Sequence, residues 1–235
     1  MRLTPDIAAS VPPYDGPPLE MGGGQLMADE DDHSANYSRL MASRPAGGEV
    51  WIFAYGSLIW NPNFIYYAET VATVHGWHRA FCLGWMRSFR GSPGRPGLMM
   101  ALDLGGSCRG VAFRLPEAQV EDNLMPVIRR ELPFKSNGLQ ARWLRGHTPQ
   151  GPRQMVGFPM LRSSNSHVAD QSEEQIVAML AHSAGPQGTM AEYLQSTVSH
   201  LQSRGIRDSY LWRLQDRVAR QIEANAAGHH PPLDF

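Results

Sequence analysis

The chain has 235 residues, a formal net charge of -1 at pH 7 and 42% hydrophobic residues, a composition typical of a globular protein long enough to bury a core. It has no basic excess that would indicate nucleic-acid binding, and no apolar run long enough to span a membrane. Its two cysteines, Cys82 and Cys108, make no disulfide framework and lie in no metal-ligand spacing. We therefore expect a cytoplasmic protein with reduced, buried thiols and no metal site.

Residues 1–47 differ in composition from the rest of the chain. They contain two proline pairs, three consecutive glycines and the acidic run Asp29-Glu30-Asp31-Asp32, with almost no apolar periodicity. Because such a segment buries too little surface to offset its chain entropy, we predict that it is disordered. A single folded domain is predicted over residues 48–225, followed by a loose tail over residues 226–235.

The stretch W-I-F-A-Y-G-S-L-I-W at residues 51–60 predicts a buried strand that ends in a glycine turn. A turn of this kind presents several backbone N–H groups together, which suits a carboxylate or phosphate ligand. Gly56 would allow close backbone approach, and Ser57 would add a hydroxyl donor. Taken alone, Y-G-S fits an ordinary tight turn better.

Further strands are predicted at residues 71–74, 79–83, 98–102 and 108–115, and around residues 142–144 and 155–160. A Gly/Pro loop is predicted at residues 91–97, and a hairpin turn at residues 103–106. Short strands separated by glycine turns indicate a mixed sheet or a small barrel.

A helix is predicted after Pro116, and it places a glutamate on its apolar face. Val120, Leu124, Val127 and Glu131 share one side of this helix, with Glu131 near its C-terminus. A poorly solvated carboxylate at the negative end of a helix should have a raised pKa, which suits a general base. The alternative is a structural ion pair of Glu131 with a nearby arginine, for which the candidates are Arg129, Arg130 and Arg79.

The C-terminal part predicts three helices. Ser172 with Gln175, and Thr189 with Glu192, have the spacing of capping boxes, and Asp208 is predicted to cap the last helix. Glu192 therefore fits a helix cap better than a catalyst.

Five blocks in order along the chain resemble the ChaC-like family of γ-glutamylcyclotransferases. They are W-I-F-A-Y-G-S-L-I-W-N-P, G-W-H-R-A-F-C, G-V-A-F-R-L-P, R-R-E-L and G-P-Q-G-T-M-A-E-Y-L, and they cover most of residues 50–215. The resemblance implies an α+β fold, with a small mixed β-barrel flanked by helices. It also implies cleavage of glutathione to 5-oxoproline and cysteinylglycine without a cofactor.

The resemblance assigns roles to residues of this chain. Glu131 matches the family's catalytic glutamate, and the γ-glutamyl group would be held by the loop that comprises Ala54, Tyr55, Gly56, Ser57, Leu58 and Ile59. Tyr193 could wall the pocket, and Arg79 could neutralise the glycyl carboxylate of glutathione, although both also fit structural roles. The chain departs from the family pattern at Ala54, Leu98, Met190 and residues 133–137.

Two alternatives stay open. The substrate could be another γ-glutamyl compound, such as a γ-glutamyl amino acid or amine. The chain could also be a non-catalytic protein that binds a γ-glutamyl metabolite. A carboxylate at position 131 on an apolar helix face argues against the second alternative, because burying an unneeded charge costs stability.

Overall fold

A computed structural model describes residues 1–20, 22–136 and 138–229 of the chain. The helices in this part of the chain are α1 Pro5–Ala9, α2 Glu30–Ala42, α3 Val120–Glu131, α4 Glu173–Leu180, α5 Met190–Ser203 and α6 Ser209–Ala226. The strands are β1 Trp51–Ala54, β2 Ala68–Met86, β3 Gly97–Arg114, β4 Arg142–Thr148, β5 Gly151–Gly157, β6 Ala184–Gly185 and β7 Gly188–Thr189.

Five strands form a closed barrel in the order β1-β3-β2-β4-β5. Strand β1 is antiparallel to β3, with Phe53 opposite Ala112, and parallel to β5, with Ile52 opposite Val156. All four residues of β1 are buried, which agrees with the continuous apolar run from which the strand was predicted. The predicted α+β architecture, a small mixed barrel with helices, is confirmed.

Two pairs of predicted strands are single long strands in the structure. Residues 71–74 and 79–83 belong to β2, and residues 98–102 and 108–115 correspond to β3, which ends at Arg114. The glycines that suggested turns have positive φ values, +83° at Gly76 and +106° and +67° at Gly105 and Gly106. Glycine inside a strand commonly marks a bulge or a bend. These glycines therefore indicated residues with positive φ, and not turns between separate strands.

The chain packs into two compact units that interleave along the sequence. The first comprises residues 1–24, 81–100 and 168–235, and the second comprises residues 25–80 and 101–167. The second unit contains β1, β4, β5 and α3. The predicted domain limits at residues 48 and 225 stay a prediction.

The prediction of disorder over residues 1–47 is wrong for two helical segments. In the first unit, α1 packs against α5 and α6, with Leu3, Ala8 and Val11 buried. The backbone N–H of Leu3 also donates to Oε1 of Gln215 at 2.8 Å. Composition averaged over 47 residues conceals these few apolar residues, and the helices that bury them lie far along the chain.

In the second unit, the acidic run starts α2. Asp29 is the N-cap, and its side chain and that of Asp32 form a reciprocal capping box. Acidic side chains in a first turn are stabilised by the positive end of the helix dipole. The acidic run is thus a helix start, and α2 extends to Ala42.

The C-terminal helices begin at the predicted caps. Ser172 and Thr189 form capping boxes with Gln175 and Glu192, and Asp208 accepts a hydrogen bond from the N–H of Leu211. Glu192 therefore caps α5, as its spacing predicts. Helix α6 continues to Ala226, where the loose tail was predicted to begin, and residues 230–235 of that tail lie outside the described residues.

Among the described residues, no helix combines the length and the apolar character needed to cross a membrane. Cys82 and Cys108 are both buried, and neither forms a disulfide.

Candidate active site

The loop after β1 starts at Tyr55 and contains a short 3-10 helix, Ser57–Ile59. Gly56 precedes it with φ -134° and ψ -130°, and within the described part of the chain no side chain caps its N-terminus. The first N–H groups of a helix have no partner within that helix, and they carry partial positive charge. Binding of a carboxylate by these N–H groups, which the Y-G-S-L sequence predicts, stays a prediction.

Two buried contacts fix the backbone of this loop at Tyr55. The Tyr55 hydroxyl donates to the carbonyl oxygen of Phe158 at 2.9 Å. The carbonyl oxygen of Tyr55 accepts a hydrogen bond from Nε of Arg79 at 2.8 Å. Because Phe158 and Arg79 are both buried, these hydrogen bonds hold Tyr55, and with it the following Gly56 and Ser57, against the barrel.

Arg79 is only 3% exposed, and it bridges two segments of backbone. Besides Tyr55, its guanidinium donates from Nη2 to the carbonyl oxygen of Arg109 at 2.7 Å. Arginine is well suited to this role, since its planar fork offers several donors and keeps its charge. These contacts fit the structural role left open for Arg79, and its action on a glycyl carboxylate stays a prediction.

Glu131 is the last residue of α3, as the apolar periodicity predicts. Its side chain retains 16% exposure, and burial raises the pKa of the carboxyl above its usual value. The positive charge of Arg130 acts in the opposite direction and lowers the pKa. The direction predicted for Glu131 is therefore confirmed, and its cause is desolvation.

Arg130 connects the loop to the glutamate. Its Nη2 donates to Oγ of Ser57 at 2.7 Å, and its Nε lies 3.4 Å from Oε1 of Glu131. Its Nη1 also donates to the carbonyl oxygen of Asn61. Glu131 thus forms the ion pair that was considered as its alternative role, and its partner is Arg130. The same guanidinium also contacts Ser57, so it links the glutamate to the loop at residues 54–59.

Arg129 and Arg130 are adjacent but have different surroundings. Arg129 forms a bidentate pair with the carboxylate of Glu30, at 2.6 and 3.0 Å, on the exposed side of α3. The sequence offers no means of telling the two apart. The link between Arg130 and Ser57 is the part of the site that sequence reasoning missed, and the only signal for it is the arginine next to the glutamate.

Tyr193 lies in the first unit, on α5, and is buried. Its ring packs edge-on against Phe81, with the centroids 6.4 Å apart, and the guanidinium of Arg90 lies 5.8 Å from its centroid. These contacts are those of a core aromatic, and a role of Tyr193 in the pocket stays a prediction. Leu98 and Met190, two of the departures from the family pattern, are also buried in this unit.

The family model for ChaC-like protein matches residues 50–221 of this chain. The chain is 34% identical over 201 residues to the glutathione-specific gamma-glutamylcyclotransferase of Escherichia coli (strain K12), which covers 85% of this chain and 86% of the relative. It is 27% identical over 187 residues to the glutathione-specific gamma-glutamylcyclotransferase 1 of Rattus norvegicus, over 77% of this chain and 84% of the relative.

The fold is also similar to a solved structure. A crystal structure of the yeast γ-glutamyl cyclotransferase specific to glutathione superimposes with a TM-score of 0.66 at 19% sequence identity. The match covers 74% of this chain and 97% of the yeast chain. The two chains therefore share a fold over nearly the whole of the yeast chain.

Proposed function

Since this chain belongs to the ChaC-like family, we propose that it is a glutathione-specific γ-glutamylcyclotransferase, which releases 5-oxoproline and cysteinylglycine. The observation that carries the proposal is a buried carboxylate, Glu131, linked through one arginine to the serine of a loop suited to binding a carboxylate. Relatives with the same activity in their names support the choice of substrate.

The reaction is an intramolecular acyl transfer. The α-amine of the γ-glutamyl unit attacks the γ-carbonyl carbon, and a five-membered lactam forms as the bond to the cysteine nitrogen breaks. The substrate supplies its own nucleophile, so the protein needs to hold it in a bent conformation, remove a proton from the amine and stabilise the developing oxyanion. No water is consumed, and the leaving nitrogen becomes the amino terminus of cysteinylglycine by receiving the two protons that the attacking nitrogen loses.

The loop at residues 54–59 would hold the γ-glutamyl unit through its α-carboxylate. The backbone N–H groups at the start of the 3-10 helix and the Ser57 hydroxyl are the donors. Because Ser57 Oγ accepts a hydrogen bond from Arg130, its own proton is left for another acceptor, such as the substrate carboxylate. Arg79 and Phe158 contribute by holding Tyr55, from which the loop begins.

Glu131 would act as the general base and then as the general acid. A carboxylate whose pKa is raised by burial takes a proton more readily at neutral pH than an exposed one. It would remove one proton from the substrate ammonium before the attack and a second from the same nitrogen as the lactam forms. Both protons would pass to the leaving nitrogen, which departs as the ammonium group of cysteinylglycine, so that Glu131 ends the turnover ionised.

The test is to incubate the purified chain with glutathione and to measure 5-oxoproline and cysteinylglycine by mass spectrometry. Glu131→Gln keeps the shape of the side chain but removes the base, and we expect its rate to fall by about 10²- to 10⁴-fold. Undiminished turnover in this variant would refute Glu131 as the base. Release of 5-oxoproline from γ-glutamyl amino acids but not from glutathione would refute the assigned substrate.

A further inference from the structure

The segment that follows Glu131 is held by a part of the chain that lies outside the family match. This part, the N-terminal arm, comprises residues 25–42 and includes α2. The family match begins at residue 50, whereas the arm belongs to the same compact unit as Glu131. Its contacts with this segment fall on residues 132–135, which overlap residues 133–137, where the chain departs from the pattern of the family it resembles.

Backbone pairing joins the arm to this segment. Met27 and Phe134 form an antiparallel bridge. The N–H of Ala28 donates to the carbonyl oxygen of Pro133 at 2.9 Å, and the N–H of Lys135 donates to the carbonyl oxygen of Leu26 at 3.0 Å. Just after the end of α3, the chain is therefore held to the arm by two main-chain hydrogen bonds, one donated by the arm and one accepted by it.

A buried histidine of the arm contacts the residue next to Glu131. His33, on α2, is 7% exposed, and its Nε2 lies 3.2 Å from the carbonyl oxygen of Leu132. A carbonyl oxygen can only accept, so Nε2 carries the hydrogen. Leu132 is the C-cap of α3 and is 1% exposed, which means that its carbonyl is one of the buried acceptors that a helix end must satisfy.

The other end of α2 is anchored to the barrel. The indole N–H of Trp143, on β4, donates to the carbonyl oxygen of Leu40 at 2.9 Å, and the Leu40 side chain is buried. Lys135 adds ion pairs to Asp29 at 2.6 Å and to Asp32 at 2.9 Å. These charges are exposed, and exposed ion pairs contribute little to stability. The inference therefore depends on the buried contacts of His33 and Leu40.

We propose that His33 is a positioning residue for Glu131, and that the N-terminal arm is part of the framework of the active site. The arm connects a barrel strand to the residues directly after Glu131, so it sets where the C-terminus of α3 lies with respect to the loop at residues 54–59. The inference rests on the proposed function, in which Glu131 reacts with the substrate. A general base displaced by about 1 Å can cost two orders of magnitude in rate.

The experiment compares three variants of the full chain. His33→Leu removes the donor, and we expect kcat to fall between about tenfold and about a hundredfold with KM within twofold of wild type. His33→Gln retains an N–H donor and should recover most of the lost kcat. Ser34→Leu introduces the same side chain on the exposed face of α2, next to His33, and should leave both parameters unchanged.

Hydrogen exchange provides a readout that does not depend on the reaction. Without the His33 contact, the amides of Leu132 and Lys135 should exchange faster, whereas those of β1 should keep their wild-type rates. Wild-type exchange and wild-type kcat in His33→Leu would overturn the proposal. If wild type itself releases no 5-oxoproline, the proposed function fails, and faster exchange at Leu132 and Lys135 would still establish that the arm holds this segment.

Discussion

Replacing Arg130 with methionine removes the contacts of its guanidinium with Ser57 and Glu131, together with its hydrogen bond to the carbonyl oxygen of Asn61. The variant keeps a long, flexible side chain but loses the 2.7 Å hydrogen bond to Ser57 Oγ and the charge 3.4 Å from Glu131. A hydrogen bond to a charged group contributes about 1.5–3 kcal/mol, and about 1.4 kcal/mol is a tenfold change in rate. We therefore expect kcat/KM for glutathione to fall between about tenfold and about 150-fold.

The pH profile of the same variant tests the electrostatic part. In the proposed mechanism, activity requires the ionised form of Glu131, and the charge of Arg130 lowers the pKa of this carboxyl. Removing that charge should move the acid limb of the kcat/KM profile to higher pH. Arg130→Lys retains a positive charge without the planar fork, so its acid limb should stay near that of wild type while kcat/KM still falls.

Arg129→Met is the matched control, because Arg129 is the neighbouring arginine of the same helix turn. Its partner is Glu30, and both side chains of that pair are exposed. Since exposed pairs contribute about 0–1 kcal/mol, kcat/KM should stay within about fivefold of wild type. The assay is product release followed from pH 5 to pH 9. An Arg130→Met profile that coincides with that of wild type, or an equal loss in Arg129→Met, would refute the assignment.

Three further predictions concern stability and the loop. Burial raises the pKa of Glu131 in the folded state, so its contribution to stability is present below the unfolded pKa and is lost as the pH rises through the folded pKa. Glu131→Gln should therefore raise the Tm at pH 8 but not at pH 4, and calorimetry showing a lower Tm at pH 8 would contradict this. Arg79→Met leaves the buried carbonyl of Tyr55 without one of its donors, so the free energy of unfolding measured in urea should fall by about 1–3 kcal/mol. Arg142→Met, which changes an exposed residue of the barrel, is the control and should unfold close to wild type. Tyr55→Phe removes the donor to Phe158 and should lower the unfolding free energy by about 1 kcal/mol, and an unchanged urea midpoint would count against this hydrogen bond.

Local patterns in the sequence determined several elements of this protein. The apolar run at residues 51–54 predicted β1, the helical spacing from Val120 placed Glu131 at the end of α3, and the capping residues gave the starts of α4, α5 and α6. Each of these features depends on neighbours within a few residues, so propensity, periodicity and capping chemistry are sufficient to predict it.

Contacts between distant residues were decided only by the tertiary structure. The difference between Arg129 and Arg130 arises because Glu30 lies beside one and Ser57 beside the other, and both partners are more than 70 residues away in the chain. Helix α2 of the N-terminal arm has a local capping box, but its contacts are with Leu132 and Trp143, and no local pattern contains either residue. Burial in a folded core and pairing across the chain are properties of the assembled fold. For this reason, residues whose composition predicts disorder form a helix here, and this helix contacts the segment after Glu131.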